Sequence, residues 1–174
     1  MKEKVLYKKY SEYLREKYGE KIYKLPINLP ITCPNRINGS GCSFCADVGT
    51  GFEAMESTVP VSTQLETTKK YITQKYKAKK FIAYFQNYTN TFMPLEQFRN
   101  YVYEAAQTPD IVEISISTRP DCIQTCYLDV LKEVQEQFSI AINIELGLQS
   151  VNYHTLDFIE RGHSLAEYLD AVLL

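Results

Sequence analysis

The feature that most constrains the fold is an alternation of short apolar runs with helical segments. Runs rich in β-branched and aromatic residues occur at residues 81–86, 111–117 and 139–148, and a weaker one ends near Ile31. Strands that alternate with helices need crossover connections, which give a parallel sheet. We therefore expect an α/β fold with four parallel strands, the first made irregular by two prolines.

The helical segments are recognised by apolar residues at helical spacing and by their ends. A helix over residues 7–18 is expected to stop at Gly19. Thr63 and Glu66 match a capping box that would open the next helix, and Pro94 would open the one after it. The remaining helices are expected at about Ile123–Phe138, from Ser150 to Arg161, and from Ser164 onward.

Length and charge narrow the class of protein. The 174 residues are 45% hydrophobic and carry a net charge of -2, which suits one globular unit without a global attraction to nucleic acid or membrane. No run of about 18 apolar residues and no signal-peptide pattern occurs, so we expect a cytoplasmic protein. Four strands cannot close a barrel and the sequence stops within AVLL, so we expect part of a longer α/β protein.

A glycine-rich loop, residues 32–62, contains three of the five cysteines with the spacing Cys33-x8-Cys42-x2-Cys45. In a reducing compartment, clustered thiols indicate metal or redox chemistry rather than disulfides. Thiolates suit zinc or iron-sulfur clusters. Structural zinc needs a closed set of four ligands, whereas a 4Fe-4S cluster held by three thiolates leaves one iron open.

Two other interpretations of the cysteines stay open on spacing alone. Cys122, Cys126 or a histidine, His154 or His163, would complete a zinc site, and the chain would then be a non-catalytic zinc-stabilised binding module. The thiols would otherwise be plain reduced cysteines. Because the loop follows the first strand of an α/β unit, where ligands gather, a functional site is favoured.

Four motifs in order resemble the radical S-adenosylmethionine (SAM) superfamily. They are CPNRINGSGCSFC (33–45), YFQNYTNTF (84–92), ISTRPDCI (116–123) and ELGLQSVNYHTLDFIERGH (145–163). Together they look like the YhcC/YtqA-like group, which is related to the radical SAM domain of the elongator catalytic subunit. The x8 spacing departs from the familiar x3, and Phe44 stands where an aromatic residue commonly precedes the third cysteine.

The resemblance implies a fold and a reaction. The fold would be a partial (β/α)6 TIM-like barrel, with residues 1–174 as the front portion of the radical SAM core domain and residues 32–62 as its cluster-binding loop. The enzyme would use a 4Fe-4S cluster to cleave SAM reductively and generate a 5'-deoxyadenosyl radical. An external electron donor such as flavodoxin or ferredoxin would supply the electron.

The resemblance also assigns roles to individual residues. Cys33, Cys42 and Cys45 would bind the cluster. The other assigned residues would bind SAM: Asn87, Tyr88, Thr89, Ser117, Arg119, Glu145, Gln149 and Arg161. Residues 86–89 replace a glycine-rich turn that receives the SAM amino group, Gln149 would contact the ribose, and Arg161 would contact the carboxylate.

Each of these residues also has a purely structural interpretation. Residues 86–91 would form a solvated loop, and Arg119 would pair at the surface beside a helix cap at Asp121. Arg161 would be a cation at a helix end ahead of a Gly162 cap. Arg119 could instead bind an anionic group of SAM or substrate, because its planar fork suits carboxylate and phosphate.

A lysine-rich run raises the possibility of an RNA partner. KKYITQKYKAKK, residues 69–80, interleaves six lysines with Tyr71 and Tyr76. Such a run is usually a solvated helix face, although basic side chains between aromatic rings also suit RNA. The related elongator subunit hints at tRNA, so RNA is a possible substrate.

Overall fold

The computed structural model describes residues 6–37, 39–46 and 54–174. The predicted loop 32–62 is therefore described only in part, and Gly49 and Gly51 lie outside the described residues. Four strands of the described chain form one parallel sheet in the order β1-β2-β3-β4, which confirms the predicted α/β fold. The strands are β1 (Ile22–Ile27), β2 (Lys80–Phe85), β3 (Ile111–Thr118) and β4 (Ala141–Leu146).

Helices connect and flank the strands. Those of the described residues are α1 (Tyr10–Tyr18), α2 (Pro34–Ile37), α3 (Val61–Tyr76), α4 (Leu95–Ala106), α5 (Thr125–Phe138), α6 (Tyr153–Phe158) and α7 (Leu165–Leu173), with a 3-10 turn at Pro120–Cys122. Gly19 ends α1 in the left-handed conformation, and Ser164 and Glu167 form a capping box at α7. Both of these predicted helix ends are confirmed.

Three predicted helix boundaries are wrong. The helix with the T-x-x-E pattern begins at Val61 after Pro60, so Thr63 lies inside it and caps nothing. The helix expected from Ser150 to Arg161 is only α6, which Asn152 caps. The expected helix cap at Asp121 falls in the 3-10 turn, and α5 starts at Thr125. In the first case Pro60 sets the start of the helix. Proline has no N–H to donate within a helix, so it stands at or before the first turn.

One face of the sheet is apolar and packs against α3, α4 and α5. The strand register aligns Leu25, Ala83, Ile114 and Ile142 in one row across the sheet. The next row on this face is Ile27, Phe85, Ile116 and Ile144. Leu65, Phe98, Val102 and Val134 cover these rows from the helices and are buried. Each such side chain contributes about 1.5–3 kcal/mol on burial, so this layer holds the strands in place.

The opposite face of the sheet is unusually polar. Alternation along the strands places Tyr84, Ser115 and Asn143 in one row, and Ser117 pairs with Glu145 nearer the carboxyl ends. At the other end, Glu113 is only 2% exposed and accepts hydrogen bonds from Lys17 and Tyr18 of α1. Buried polar groups persist when they are paired, as these are. The polar face of the sheet therefore extends to the carboxyl ends of the strands, where Ser117 and Glu145 lie.

The edge strands differ from the buried centre. β1 contains Pro26, which a parallel sheet tolerates at an edge because proline cannot donate to the ladder. All residues of β4 are half-buried, although Ile142 and Ile144 were expected to be core. Within the described chain β4 has a strand partner on one side only, which leaves it more exposed.

No helix in the described ranges is long and apolar enough to span a membrane.

Candidate functional site

A cavity of about 250 Å³ opens at the carboxyl ends of the four strands. All three predicted cluster cysteines line it, together with every predicted SAM-binding residue except Asn87. The lining residues come from the cysteine loop, from the last residues of β2, β3 and β4, and from the segments that follow these strands. Folding therefore brings together motifs spread over more than a hundred residues of sequence.

Each cysteine sulfur in the cavity wall is near a different guanidinium group. Nη1 of Arg119 lies 3.8 Å from Sγ of Cys33, and Nη1 of Arg161 lies 3.6 Å from Sγ of Cys42. Nη2 of Arg36 lies 3.7 Å from Sγ of Cys45 and donates to backbone carbonyls of the same loop. A positively charged side chain therefore lies beside each of the three sulfurs.

Arg119 is paired within the protein at the cavity wall. Arg119 is 3% exposed. Its Nε and Nη2 donate to the two carboxylate oxygens of Asp121 at 2.8 and 2.7 Å. Nη1 and Nη2 also donate to the carbonyls of Arg161 and Gly162. With the contact to Cys33, all five N–H groups are engaged. The ion pair is thus buried rather than superficial, and the guanidinium has no donor left for an anionic ligand.

Arg119 and Asp121 are both charged, as the directions of their pKa shifts indicate. Burial alone would lower the pKa of Arg119, but the carboxylate of Asp121 outweighs it and raises the pKa above its ordinary value. Burial likewise acts to raise the pKa of Asp121, and the guanidinium outweighs it, so that pKa is lowered. Both groups are therefore ionised over the physiological range.

Arg161 is a buried residue of the cavity wall and not a surface cation at a helix end. It lies beyond the end of α6 and is 7% exposed. Its Nη2 donates to the carbonyl of Gly147 at 2.7 Å, and Nε2 of His163 lies 3.0 Å from the same oxygen. The RGH motif is thereby joined to the ELG motif, and burial lowers the pKa of His163.

Two glycines make this arrangement possible. A Cβ at Gly147 would lie 2.7 Å from Nη2 of Arg161. Gly162 has a φ of +73°, and a Cβ there would lie 2.5 Å from Oδ1 of Asn35. Asn35 in turn donates to the carbonyls of Glu160 and Arg161 and lies 3.3 Å from the sulfur of Cys42. A Cβ at either position would force the neighbouring Arg161 or Asn35 side chain to shift, and position 162 also has the left-handed backbone that favours glycine.

Asparagine side chains hold the loop after β2 in place. Nδ2 of Asn90 lies 2.8–3.1 Å from the carbonyl oxygens of Phe85, Asn87 and Ser117, which share its two N–H donors. Asn87 is buried, bonds to Asn28, and does not line the cavity, so its side chain supports the loop rather than reaching a ligand. The loop is thus a fixed structure and not the solvated turn that its polar sequence would allow.

The loop presents Tyr88 and Thr89 to the cavity. Tyr88 has a φ of +57°, and the guanidinium carbon of Arg36 lies 5.4 Å from the centre of its ring. Thr89 is 1% exposed, and its hydroxyl has no hydrogen-bond partner among the described residues. A backbone held in a sparsely populated region is common at binding sites.

Glu145 is the acidic group of the cavity. It accepts hydrogen bonds from Lys24 at 2.5 Å, Tyr84 at 3.0 Å and Ser117 at 3.1 Å. Burial acts to raise the pKa of Glu145, but the interaction with Lys24, followed by those with Tyr84 and Ser115, outweighs burial and lowers the pKa. The site therefore contains a carboxylate anchored to three strands.

Gln149 reaches the cavity from the segment after β4. It adopts a φ of +72°, and its Nε2 would lie 3.0 Å from a Cβ at Gly147. The residue is exposed, in contrast to Arg161 and Thr89. Gln149 is thus placed at the outer part of the cavity wall.

The residues considered as a fourth zinc ligand lie in different surroundings. Burial, with a smaller effect of Asp121, raises the pKa of Cys122 to about 12. Sγ of Cys126 contacts Gln124, His154 is exposed, and both ring nitrogens of His163 face carbonyls. In the described ranges no three His, Cys, Asp or Glu residues are grouped so as to hold one metal ion.

The lysine-rich run lies away from the cavity. It spans the end of α3 and the start of β2, whereas the cavity is at the carboxyl ends of the strands. Lys69 pairs with Asp110 at 2.6 Å, and Lys80 pairs with Glu20 at 3.2 Å. Tyr76 stacks on Tyr23. The run therefore does not extend the cavity toward a nucleic acid.

Several residues of the site were not predicted. Asn35, Arg36, Tyr84, Asn90, Gly147 and His163 all lie inside the four motifs or between their named residues. Gly147, which follows the apolar β4 run directly, was the available signal, since such a glycine often marks a close backbone approach. Nothing in the sequence marks which partner a given asparagine or arginine will contact.

No family model matches this chain. It is 37% identical over 163 residues to the uncharacterized protein YtqA of Bacillus subtilis, which covers 92% of this chain and 50% of YtqA. It is 33% identical over 168 residues to an uncharacterized protein of Methanocaldococcus jannaschii, covering 96% of this chain and 52% of that protein. YhcC of Escherichia coli is 35% identical over 158 residues, 89% of this chain and 50% of YhcC. The chain thus spans about half the length of the curated relatives it matches.

Proposed function

We propose that this chain is the front portion of a radical SAM enzyme, with a cluster site at Cys33, Cys42 and Cys45 and a SAM site beside it. The observation that carries the proposal is that the three cysteines and nearly all the residues assigned from the resemblance line one cavity. The sequential order of parallel strands is compatible with a partial (β/α)6 barrel. Relatives named YtqA and YhcC add support, because the resemblance was to their group.

The donor set fits an iron-sulfur cluster. The three sulfurs share a cavity without forming a group that could hold a single ion. A zinc ion needs its ligands around one point, whereas the thiolates of a 4Fe-4S cluster bind different irons. The guanidinium beside each sulfur would offset the negative charge of such a cluster.

The rest of the cavity fits a polar cofactor. The hydroxyl of Thr89 and Nε of Arg161 are buried and have no hydrogen-bond partner within the described chain. Buried polar groups left unpaired in a protein often await a ligand. Thr89, Glu145, Gln149 and Arg161 would hold SAM, and Tyr88 and Ser117 would border it. Asn87 and Arg119 are better assigned to support.

The chain's own residues would bind and orient the reactants. When bound, the cluster and SAM would supply a 5'-deoxyadenosyl radical, the species that abstracts hydrogen from a substrate. Arg161 would place positive charge where SAM carries its carboxylate, and Glu145 would offer an acceptor to ribose hydroxyls. Phe44, which lines the cavity, would limit the access of water. An external one-electron donor such as flavodoxin or ferredoxin would provide the electron.

Anaerobic reconstitution with iron and sulfide tests the proposal. The 174-residue chain should bind about four irons, show the absorbance of a 4Fe-4S cluster, and change its electron paramagnetic resonance (EPR) spectrum when SAM is added. The variants Cys33→Ala, Cys42→Ala and Cys45→Ala should each lose most of this iron. Cys126→Ala is the matched control, because this thiol contacts Gln124 and does not line the cavity.

Two outcomes separate the possibilities. Iron binding that survives the combined alanine replacement of the three cysteines would overturn the proposal. Cluster formation with SAM binding but without 5'-deoxyadenosine would mean that this chain holds the cofactors but needs further segments for turnover. The zinc-stabilised module is tested in the same experiment, because it requires stoichiometric zinc that iron does not displace.

A further inference from the structure

The buried ion pair between Arg119 and Asp121 lies next to Cys33, the first of the three cysteines. Arg119 connects three segments: its own loop through Asp121, the RGH turn through two carbonyls, and the cysteine loop through Cys33. Its five N–H groups are all used within the protein. The guanidinium is therefore held in one orientation without help from a ligand.

The position of Cys33 depends on few other contacts. Its carbonyl accepts from the backbone N–H groups of Arg36 and Ile37, which form the short helix α2. Among the hydrogen bonds of the described residues, the sulfur's partner is Nη1 of Arg119 at 3.8 Å. An isolated turn of four residues has little stability of its own. The Arg119 contact is thus well placed to fix the side chain of Cys33.

The Arg119–Asp121 pair also determines the electrostatic field at the sulfur of Cys33. Arg119 presents its positive group to the sulfur, while Asp121 lies on the far side of the same guanidinium. The low dielectric of a buried site strengthens both interactions. The sulfur therefore lies next to a cation whose charge is partly compensated by a carboxylate one step further away.

We propose that the Arg119–Asp121 pair positions Cys33 as a cluster ligand and sets the electrostatic field at that corner of the cluster. The inference rests on the proposed function for its cluster component. Arg119 is then a positioning residue and not a SAM ligand. Removal of the two charges in turn should have opposite effects on a bound cluster, which a merely structural role would not produce.

The first test measures the reduction potential of the reconstituted cluster by EPR-monitored titration. Arg119→Gln leaves Asp121 uncompensated, which disfavours the added electron, so the potential should become more negative. Asp121→Asn leaves the guanidinium uncompensated, so the potential should become less negative. The double variant Arg119→Gln with Asp121→Asn should return close to the wild-type value. Arg99→Gln is the control, because Arg99 also pairs with a carboxylate, Glu133, but outside the cavity.

The second test uses the iron-free chain. Hydrogen–deuterium exchange at the amides of Arg36 and Ile37 reports on the Cys33 turn, since both donate to the Cys33 carbonyl. Loss of the charged donor in Arg119→Gln should accelerate this exchange by roughly tenfold. Arg119→Lys should restore part of the protection, and Arg99→Gln should leave it unchanged. Should Arg119→Gln unfold because Asp121 is left buried, the neutral double variant replaces it in the exchange test, and the shift in Asp121→Asn decides the potential test.

The outcomes separate this inference from the proposed function. A wild-type chain that binds no iron would end the proposed function, and the exchange test would still decide whether Arg119 holds the Cys33 turn. A chain that binds four irons but shows the same potential and exchange in all variants would overturn the inference alone. Shifts of the same sign in Arg119→Gln and Asp121→Asn would also overturn it.

Discussion

Nη1 of Arg161 lies 3.6 Å from the sulfur of Cys42, although 119 residues separate the two positions in the chain. The same guanidinium reaches the carbonyl of Gly147 through Nη2. One side chain thus connects the cysteine loop with the end of β4. The cavity wall depends on such long-range contacts, and several of them can be tested individually.

Replacement of Arg161 by Met should destabilise the protein. The substitution removes a charged donor from the half-buried carbonyl of Gly147, which costs about 1.5–3 kcal/mol. Urea unfolding of the iron-free chain measures this free energy. Arg15→Met is the control, because Arg15 is exposed on α1 and should change stability by less than about 0.5 kcal/mol. Equal effects of the two variants would contradict the role given to Arg161.

Gly162→Ala should cost more than Gly19→Ala. Gly162 has a φ of +73° and Gly19 a φ of +76°, so both variants incur the left-handed penalty of about 1–2 kcal/mol. Only the Cβ at position 162 would meet another atom, Oδ1 of Asn35, at 2.5 Å. Thermal unfolding should therefore show a larger loss for Gly162→Ala, by about 1 kcal/mol or more.

The iron content of the two glycine variants provides a second comparison. Gly162→Ala should also reduce iron uptake, because Asn35 lies 3.3 Å from the sulfur of Cys42. Gly19→Ala should bind iron as the wild type does. A loss of stability no larger in Gly162→Ala than in Gly19→Ala would show that Asn35 moves aside without cost.

Asn90→Ala should loosen the loop after β2. Asn90 is 1% exposed and supports three carbonyls, so its loss should cost about 1–3 kcal/mol. Amide exchange across residues 86–91 should rise together with the fall in stability. Asn100→Ala on the exposed side of α4 is the control and should lie within about 0.5 kcal/mol of the wild type. Unchanged exchange would show that other contacts suffice to hold the loop.

The contribution of Glu145 should depend on pH. Since the folded-state pKa of Glu145 is lowered from its ordinary value of 4.5, its contribution is present above that value and disappears as the pH falls through the folded-state pKa. The carboxylate is 36% exposed, so solvent screening limits the effect to about 1 kcal/mol.

Chemical unfolding of Glu145→Gln at pH 7 and at pH 3 measures this dependence. The difference in the free energy of unfolding between wild type and variant should be larger at pH 7. Glu136→Gln, at an exposed position of α5, controls for the general effect of losing a carboxylate. A difference that grows toward pH 3 would contradict the assignment.

Much of the fold followed from local patterns. Apolar β-branched runs predicted β2, β3 and β4 within about two residues, and the helical spacing predicted the buried faces of α4 and α5. Boundaries were less accurate where proline or asparagine determined them, as at Val61 and Asn152. The reason is that a helix start depends on a few local hydrogen bonds, whereas a buried stripe is repeated over many residues.

The candidate site, like the fold, could be predicted only in part from the sequence. The resemblance carried by the four motifs named the three cysteines, Thr89, Glu145 and Arg161 as candidate site residues, and all of them line the cavity. Whether a polar side chain faces the cavity or supports the backbone was not encoded locally. Asn87 and Arg119 were named as ligands, but Asn87 bonds to Asn28 and Arg119 is saturated by Asp121, two carbonyls and Cys33.

The sequence by itself determined the α/β alternation, the parallel sheet, and the set of thiols and polar groups placed after the strands. Only the tertiary structure decided which guanidinium faces which sulfur, which glycines leave room for Arg161 and Asn35, and which asparagines hold the loops. The physical reason is range: strand and helix patterns arise from neighbours in the chain. Hydrogen bonds between segments such as Cys42 and Arg161 exist only after the sheet has brought the carboxyl ends of its strands together.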